Sequence, residues 1–291
     1  MNDVMDDAAN SGTDSTATSG ADRTARGAAH ATVPPAGRAT PGRRLRALAR
    51  AELTLLGRNR TAVFTALLVP LALPFSVRPA LDQLDLKGQG LSVGTVLLTA
   101  AIGFAFLFAV YTSLVSAYVS RREELVLKRL RTGEVGDTEI LIGTALPSLC
   151  VGLAQCVIVA VGCGLLLGTG APEEPLLAVL GVVLGLVLSA ALAAVTAGIT
   201  RTVESAQVTA LPLMFLSMLG SGMAVPLETL PDRLADICRF LPLSPAVRLV
   251  QGGWTGRLSG QETLVTLVIA LAWTALAVFA VQRWFRWEPR R

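Results

Sequence analysis

The chain has 291 residues and a net charge of +4, and it is 52% hydrophobic and only 16% charged, with a mean hydropathy of +0.59. Because soluble domains average about 25% charged residues, this composition indicates a membrane protein. One histidine, His30, and four cysteines without paired spacing argue against metal catalysis, histidine acid–base chemistry and a disulfide framework.

Residues 1–40 consist mainly of Ala, Ser, Thr, Gly and Asp, which predicts a disordered tail because little in them could enter a core. The tail lacks the apolar stretch of a signal peptide, and its acidic residues argue against a transit peptide. We therefore expect it to stay in the cytosol.

Residues 43–60 predict an amphipathic helix at the membrane interface, because their leucines and arginines fall largely on opposite sides of a helical wheel. Glu52 lies in the middle of the leucine face. An unpaired carboxylate there would be costly, so we expect Glu52 to have a basic partner. The arginines could also act only as topological anchors.

Six uncharged runs follow, each long enough to cross a bilayer, which takes about 20 residues. They are Thr61–Val77, a core within Gly88–Ser120, a core within Ile140–Pro172, Pro175–Thr200, Ser205–Val225 and Thr263–Gln282. The sequence thus predicts an all-α membrane protein, with a six-span domain at residues 41–291.

The distribution of basic residues predicts the orientation, because Arg and Lys favour the cytoplasmic side of short loops. With a cytosolic N-terminus, 19 of the 25 basic residues lie inside, so both termini are expected to be cytoplasmic. No predicted span contains an Asp, Glu, Lys, Arg or His, which argues against ion coupling, although backbone carbonyls can also hold Na⁺. Gln155 is a candidate polar contact.

The loop at residues 120–139, between spans two and three, contains the stretch REELVLKRLRTGEV. Read as a helix from Arg121, it places an apolar face opposite a charged one. The loop could be only a solvated connector. Its charged residues, which we take as candidates for docking a partner, are Arg121, Arg122, Glu123, Glu124, Lys128, Arg129, Arg131 and Glu134.

Two stretches resemble type 2 ABC exporter permeases. The stretch REELVLKRLRTGEVGDTEILIG is similar to the family's first cytoplasmic loop, although Leu125 and Val126 stand where Gly-Thr is frequent and Glu134 where Pro is frequent. Residues 211–252 are similar to the fifth span and the external segment after it, with Ser-Gly, Val-Pro, Leu-Pro and Leu-Pro pairs in the family's order.

The external segment at residues 226–262 holds four prolines between Pro226 and Pro245, which break it into short helices. These helices are too polar to span a membrane and too apolar to float freely. We expect them to lie in the outer interface or to re-enter it.

The resemblance covers residues 43–291 and implies a transport subunit in the bacterial plasma membrane. Two copies of a separate ABC ATPase would dock on residues 121–135 as a coupling helix, and residues 43–60 would form a connecting helix beside the ATPase. A second permease, identical or related, would complete the pathway as a homodimer or heterodimer. No nucleic-acid partner is expected.

A substrate pathway is the next expectation. Four aromatic residues of span two have spacings of four, three and seven, which predicts one helix stripe, and the methionines of span five suit apolar ligands. The resemblance implies that these two spans line a cavity, although packing or lipid contact would also explain the residues. They are Phe104, Phe108, Tyr111, Tyr118, Met214, Phe215 and Met218.

An ATP-hydrolysing role for this chain is not expected, because no Gly-x-x-x-x-Gly-Lys loop occurs and the Leu-Ser-Gly-Gln at 258–261 lacks that partner. The chain needs no cofactor of its own, and the partner subunit would use the ATP. A small hydrophobic drug or antibiotic is our expected substrate. Lipid or polysaccharide export, an ATP-independent carrier or channel, and a membrane-embedded enzyme or assembly factor are the alternatives.

Overall fold

The computed structural model describes residues 92–124, 137–223 and 230–284, together with the isolated residues Thr54, Ala72, Ser76 and Pro79. The chain separates into two units, Met1–Ala39 and Thr40–Arg291, and every described residue lies in the second. The predicted tail lies outside the described residues. So do Glu52 and, apart from the isolated residues, the 43–60 helix and the span Thr61–Val77.

Every regular element in the three described ranges is a helix, as predicted. We number them α1 Val93–Glu123, α2 Asp137–Leu167, α3 Pro175–Ile199, α4 Val203–Gly220, α5 Asp232–Arg239, α6 Ser244–Thr255 and α7 Gly260–Trp284. Helices α1 to α4 and α7 are long and apolar enough to cross a membrane. They correspond to predicted spans two to six, while the total of six stays a prediction.

Helix α1 changes its winding halfway. Ser92 caps its first turn by accepting a hydrogen bond from the Thr95 N–H, and residues Ala105–Thr112 then form a π-helix before α-helix resumes at Ser113. The Thr112 and Ser113 hydroxyls donate to the Phe108 carbonyl at 3.0 and 2.9 Å. Such π segments are rare and frequently occur at functional sites.

Helix α3 packs closely against its neighbours because glycines replace side chains at the contacts. A Cβ at Gly181 would lie 2.7 Å from the Val250 nitrogen in α6, and one at Gly185 would collide with the Phe106 ring in α1. The two glycines form a GxxxG pair, a pattern that lets helices approach closely. Gly164 and Gly168 have the same spacing, but no close neighbour faces either.

The described residues between α4 and α7 bond to both of these helices. The Ser244 hydroxyl, at the start of α6, donates to the Gly220 carbonyl at 2.9 Å, and the Trp273 indole N–H donates to the Phe240 carbonyl at 2.8 Å. Trp273 lies about 20 Å along α7 from Gly260. Most of α6 is buried, so this helix belongs to the packed bundle, whereas α5 exposes Leu234 and Ile237 and its C-cap Phe240 is exposed as well.

Candidate functional site

The last turn of α1 binds three other helices through three successive residues. Arg121 contacts α2, Arg122 contacts α3, and Glu123 contacts α4. Helix α1 ends at Glu123 with Glu124 as its C-cap, so this turn directly precedes the rest of the charged loop in the sequence. The turn is therefore the structural base of the predicted docking loop.

The contact with α2 joins the helix before the charged loop to the helix after it; we call the adjoining ends of α1 and α2 the two stems of the loop. The Arg121 guanidinium donates to the Thr144 hydroxyl at 3.1 Å, and the Tyr118 hydroxyl donates to the Leu141 carbonyl at 3.0 Å. Thr144 is itself positioned by donating to the Ile140 carbonyl at 2.9 Å. Residues 125–136 thus begin and end on helices that are joined at their base.

The contact with α3 buries a charged side chain. Arg122 is only 1% exposed, and its guanidinium donates to the Ala197 carbonyl at 2.8 Å and to the Thr200 carbonyl at 2.6 Å. A longer bond of 3.3 Å reaches the Arg201 carbonyl. The last carbonyls of a helix lack donors within it, and they form the negative end of its dipole. Arg122 supplies the last carbonyls of α3 with hydrogen-bond donors, and its positive charge is favourable at this negative end of the dipole.

In the contact with α4, a negatively charged side chain binds the positive end of a helix dipole. The Glu123 carboxylate accepts from the Val203 N–H at 3.1 Å, and Val203 is the first residue of α4. Thr202 and Ser205 add a capping box at the same helix start. A carboxylate is favourable at this positive end of a helix dipole. Arg122 therefore binds the α3 side of the turn at residues 200–202, and Glu123 binds its α4 side.

The structure describes the predicted docking residues only as far as Glu124. Because Arg122 is buried, it is a contact within the bundle and does not belong to an exposed docking surface. Helix α1 ends at Glu123 with Glu124 as its C-cap, and the rest of the predicted coupling helix lies outside the described residues. Glu123 and Glu124 are exposed, and Glu124 accepts from the Ser120 hydroxyl at 3.0 Å. Lys128, Arg129, Arg131 and Glu134 lie outside the described residues.

The predicted aromatic stripe of α1 does not form as one face. The Phe104 and Phe108 rings stack at 5.9 Å, but the Tyr111 hydroxyl pairs with the Thr196 hydroxyl at 3.0 Å and Tyr118 points to α2. The single stripe was wrong because a π-helix, with its i→i+5 bonds, takes more residues per turn than an α-helix. Both tyrosines are buried in helix contacts.

The span-five residues divide between two environments. Met214 and Met218 are half-buried and pack against the core of the bundle. Phe215, between them, is 50% exposed. The structure therefore does not place all three side chains on one surface, and a pathway role for them stays a prediction.

A cavity of about 540 Å³ lies between α2, α3 and α7, at the end of the bundle that carries Arg122. Its walls are mainly apolar, with Ala190 and Ala191 of α3 opposite α2. Tyr118, Thr138 and Gln282 supply its polar groups. Of the predicted pathway residues, only Tyr118 lines this cavity, and the sequence pattern did not indicate the alanines.

Two further polar observations bear on chemistry. Gln155, predicted as a polar contact, is fully buried in α2. Within the three described ranges, no cluster of three or more His, Cys, Asp or Glu residues could hold a metal ion. The described chemistry of the site is thus hydrogen bonding and charge pairing at helix ends.

Comparison with protein families adds an independent finding. A family model described as ABC-2 family transporter protein matches residues 62–281, which is well over half of the chain. A comparison with curated proteins finds no match. The matched range includes all the helices described above except the last residues of α7.

Proposed function

Because the chain belongs to the ABC-2 transporter family, we propose that it is the transmembrane subunit of an ATP-driven exporter, powered by a separate ATPase that docks on residues 121–135. Members of this family are membrane transport subunits, which agrees with the five helices able to cross a membrane among the described residues. The chain is thus a multi-pass membrane protein. The substrate, the partner and the mechanism are parts of the proposal.

One observation supports the docking role: hydrogen bonds join the two helices, α1 and α2, between which the charged loop lies in the sequence. Arg121 with Thr144, and Tyr118 with Leu141, join its two stems. A force applied to residues 125–136 would therefore move α1 and α2 together, because hydrogen-bonded stems resist being separated. A connector that served only topology would not need such a base, and its acidic residues would contribute little to orientation.

The substrate class is inferred from the cavity beside this base. Its volume of about 540 Å³ lies within the roughly 300–1,000 Å³ typical of small-molecule sites. The mainly apolar walls suit a hydrophobic compound, and Tyr118, Thr138 and Gln282 offer a few orienting hydrogen bonds. We propose that a drug-like or antibiotic-like molecule enters here from the cytosolic side.

The proposed cycle is alternating access in a dimer of permease subunits. ATP-driven closure of two ATPases would displace the loop and its dimer mate, and the spans would exchange between inward-open and outward-open states. The compound moves because the two states differ in affinity for it. The orientation, with Arg122 and the loop in the cytosol, follows from the distribution of basic residues.

The test is to purify the tagged chain from its native membrane and identify what accompanies it. We expect an ABC ATPase to co-purify and its ATP hydrolysis to rise when a hydrophobic compound is added. Charge reversal at Glu124 should weaken this association, while reversal at Glu173, at the opposite end of α3, should not. Recovery of the chain without any ATPase would contradict the proposal.

A further inference from the structure

We propose that Arg122 and Glu123 are positioning residues that carry the movement of the docking loop into α3 and α4. The inference rests on the proposed function, because it concerns how the displacement of residues 125–136 reaches the spans. The observation behind it is that two adjacent residues of α1 hold the two sides of one turn.

The first step is that the contact is directional. The bonds from Arg122 to the carbonyls of Ala197 and Thr200 are short, at 2.8 and 2.6 Å, and charge-assisted hydrogen bonds of this kind are stronger than neutral ones. A guanidinium presents its donors in a rigid fork. Sideways displacement of the α1 end must therefore either move the end of α3 or break these bonds.

The second step is that capping alone does not require a buried arginine. Carbonyls at a helix end can be satisfied by neutral side chains or by a tightened last turn as well as by a cation, whereas burying a charge is costly unless it is well paired. Arg122 is buried despite this cost, and it lies in the last turn of α1, directly before the charged loop in the sequence. The arrangement is therefore better explained by a need to connect α1 with α3 than by a need to end α3.

The third step is that the connection reaches two spans at once. Only Thr200, Arg201 and Thr202 separate α3 from α4, so their adjoining ends cannot move far apart. Glu123 adds the bond to the Val203 N–H, and Gln207 of α4 donates to the Ser116 hydroxyl of α1 at 3.1 Å. A shift of one α1 turn is thus passed to both helices.

A purely structural role is the competing explanation, and it makes a different prediction. If Arg122 only stabilises the bundle, its loss should reduce the amount of folded protein and lower hydrolysis and export in proportion. If it transmits movement, the assembled complex should continue to hydrolyse ATP while exporting less per ATP. The ratio of export to hydrolysis separates the two.

The experiment uses the full chain with its co-purified ATPase, reconstituted in liposomes that contain a fluorescent hydrophobic compound. We expect Arg122→Gln to lower the export per ATP hydrolysed by about tenfold, a typical size for a coupling between sites. Arg122→Lys should recover part of this loss, because it keeps the charge without the fork. Arg201→Gln is the matched control: this arginine is exposed on the same turn, and only its backbone carbonyl takes part.

Glu123→Gln keeps the proposal testable if Arg122→Gln folds poorly, since Glu123 is exposed. It should reduce the same ratio by a smaller factor, about threefold, the size expected for an exposed carboxylate at a helix N-terminus, with the ATPase still bound. An unchanged ratio in folded Arg122→Gln and Glu123→Gln complexes would overturn the transmission role. Absence of any bound ATPase in the unmodified protein would instead overturn the proposed function.

Discussion

The Arg122 guanidinium lies 2.6 Å from the Thr200 carbonyl oxygen, joining the end of one span to the end of another 78 residues later in the chain. The side chain is 1% exposed, so the bond lies inside the bundle. The bond lies at the base of the loop on which the ATPase is proposed to act. It links this base to α3, one of the helices that would have to move during transport.

Replacement of Arg122 by alanine should destabilise the protein. The carbonyls of Ala197 and Thr200 would lose their donor in a buried position, and leaving a buried acceptor unsatisfied costs about 1–3 kcal/mol in free energy of unfolding. We expect a lower melting temperature in detergent. Arg201→Ala, on the exposed side of the same turn, should melt close to the unmodified protein; equal losses would contradict the assignment.

Glu124→Lys should weaken the association with the ATPase and leave the bundle intact. Glu124 is exposed and bonds only within its own helix among the contacts described, to Ser120. Reversal of both Glu123 and Glu124 is less informative, because Glu123 also caps α4 through the Val203 N–H. Export from intact cells, with the melting temperature as control, measures the effect. Unchanged export would count against docking at Glu124.

Gly253→Ala should strongly reduce the yield of folded protein. A Cβ at Gly253 would collide with the backbone nitrogen of Ala178 and lie 2.7 Å from its Cα, and a backbone cannot rotate away as a side chain can. Gly162→Ala is the matched control, since open space surrounds that position and alanine favours a helix over glycine. Size-exclusion profiles in detergent should separate the two variants.

Ala191→Trp should block the passage of hydrophobic compounds while leaving the ATPase bound. The indole would occupy part of the cavity between α2, α3 and α7. Phe108→Ala tests the alternative pathway along α1 and should alter which compounds are exported. A comparison of resistance spectra for both variants identifies the pathway, and an unchanged spectrum for Ala191→Trp would exclude entry through the cavity.

The spans were predictable from the sequence because long uncharged runs have few other stable arrangements. Helices α1 to α4 and α7 all fall on such runs. The π segment Ala105–Thr112 was not predictable, because composition does not show that the hydroxyls of Thr112 and Ser113 satisfy the Phe108 carbonyl. The predicted aromatic stripe was wrong for that reason.

The base of the loop was predicted in place but not in detail. A charged run between two spans indicates a surface loop, yet periodicity does not show that Arg122 turns inward while Glu123 and Glu124 stay exposed. The pairing depends on Thr200, which lies far away in sequence and contributes only a backbone carbonyl. Every residue has a backbone carbonyl, so the identity of residue 200 does not indicate this contact.

The most direct test of the central claim is transport by inside-out membrane vesicles that contain this chain with or without its co-purified ATPase. The account predicts accumulation of a hydrophobic compound only when the ATPase and ATP are both present, with no accumulation when a non-hydrolysable ATP analogue replaces ATP. Equal accumulation by vesicles that contain the chain alone would contradict it and identify an ATP-independent carrier.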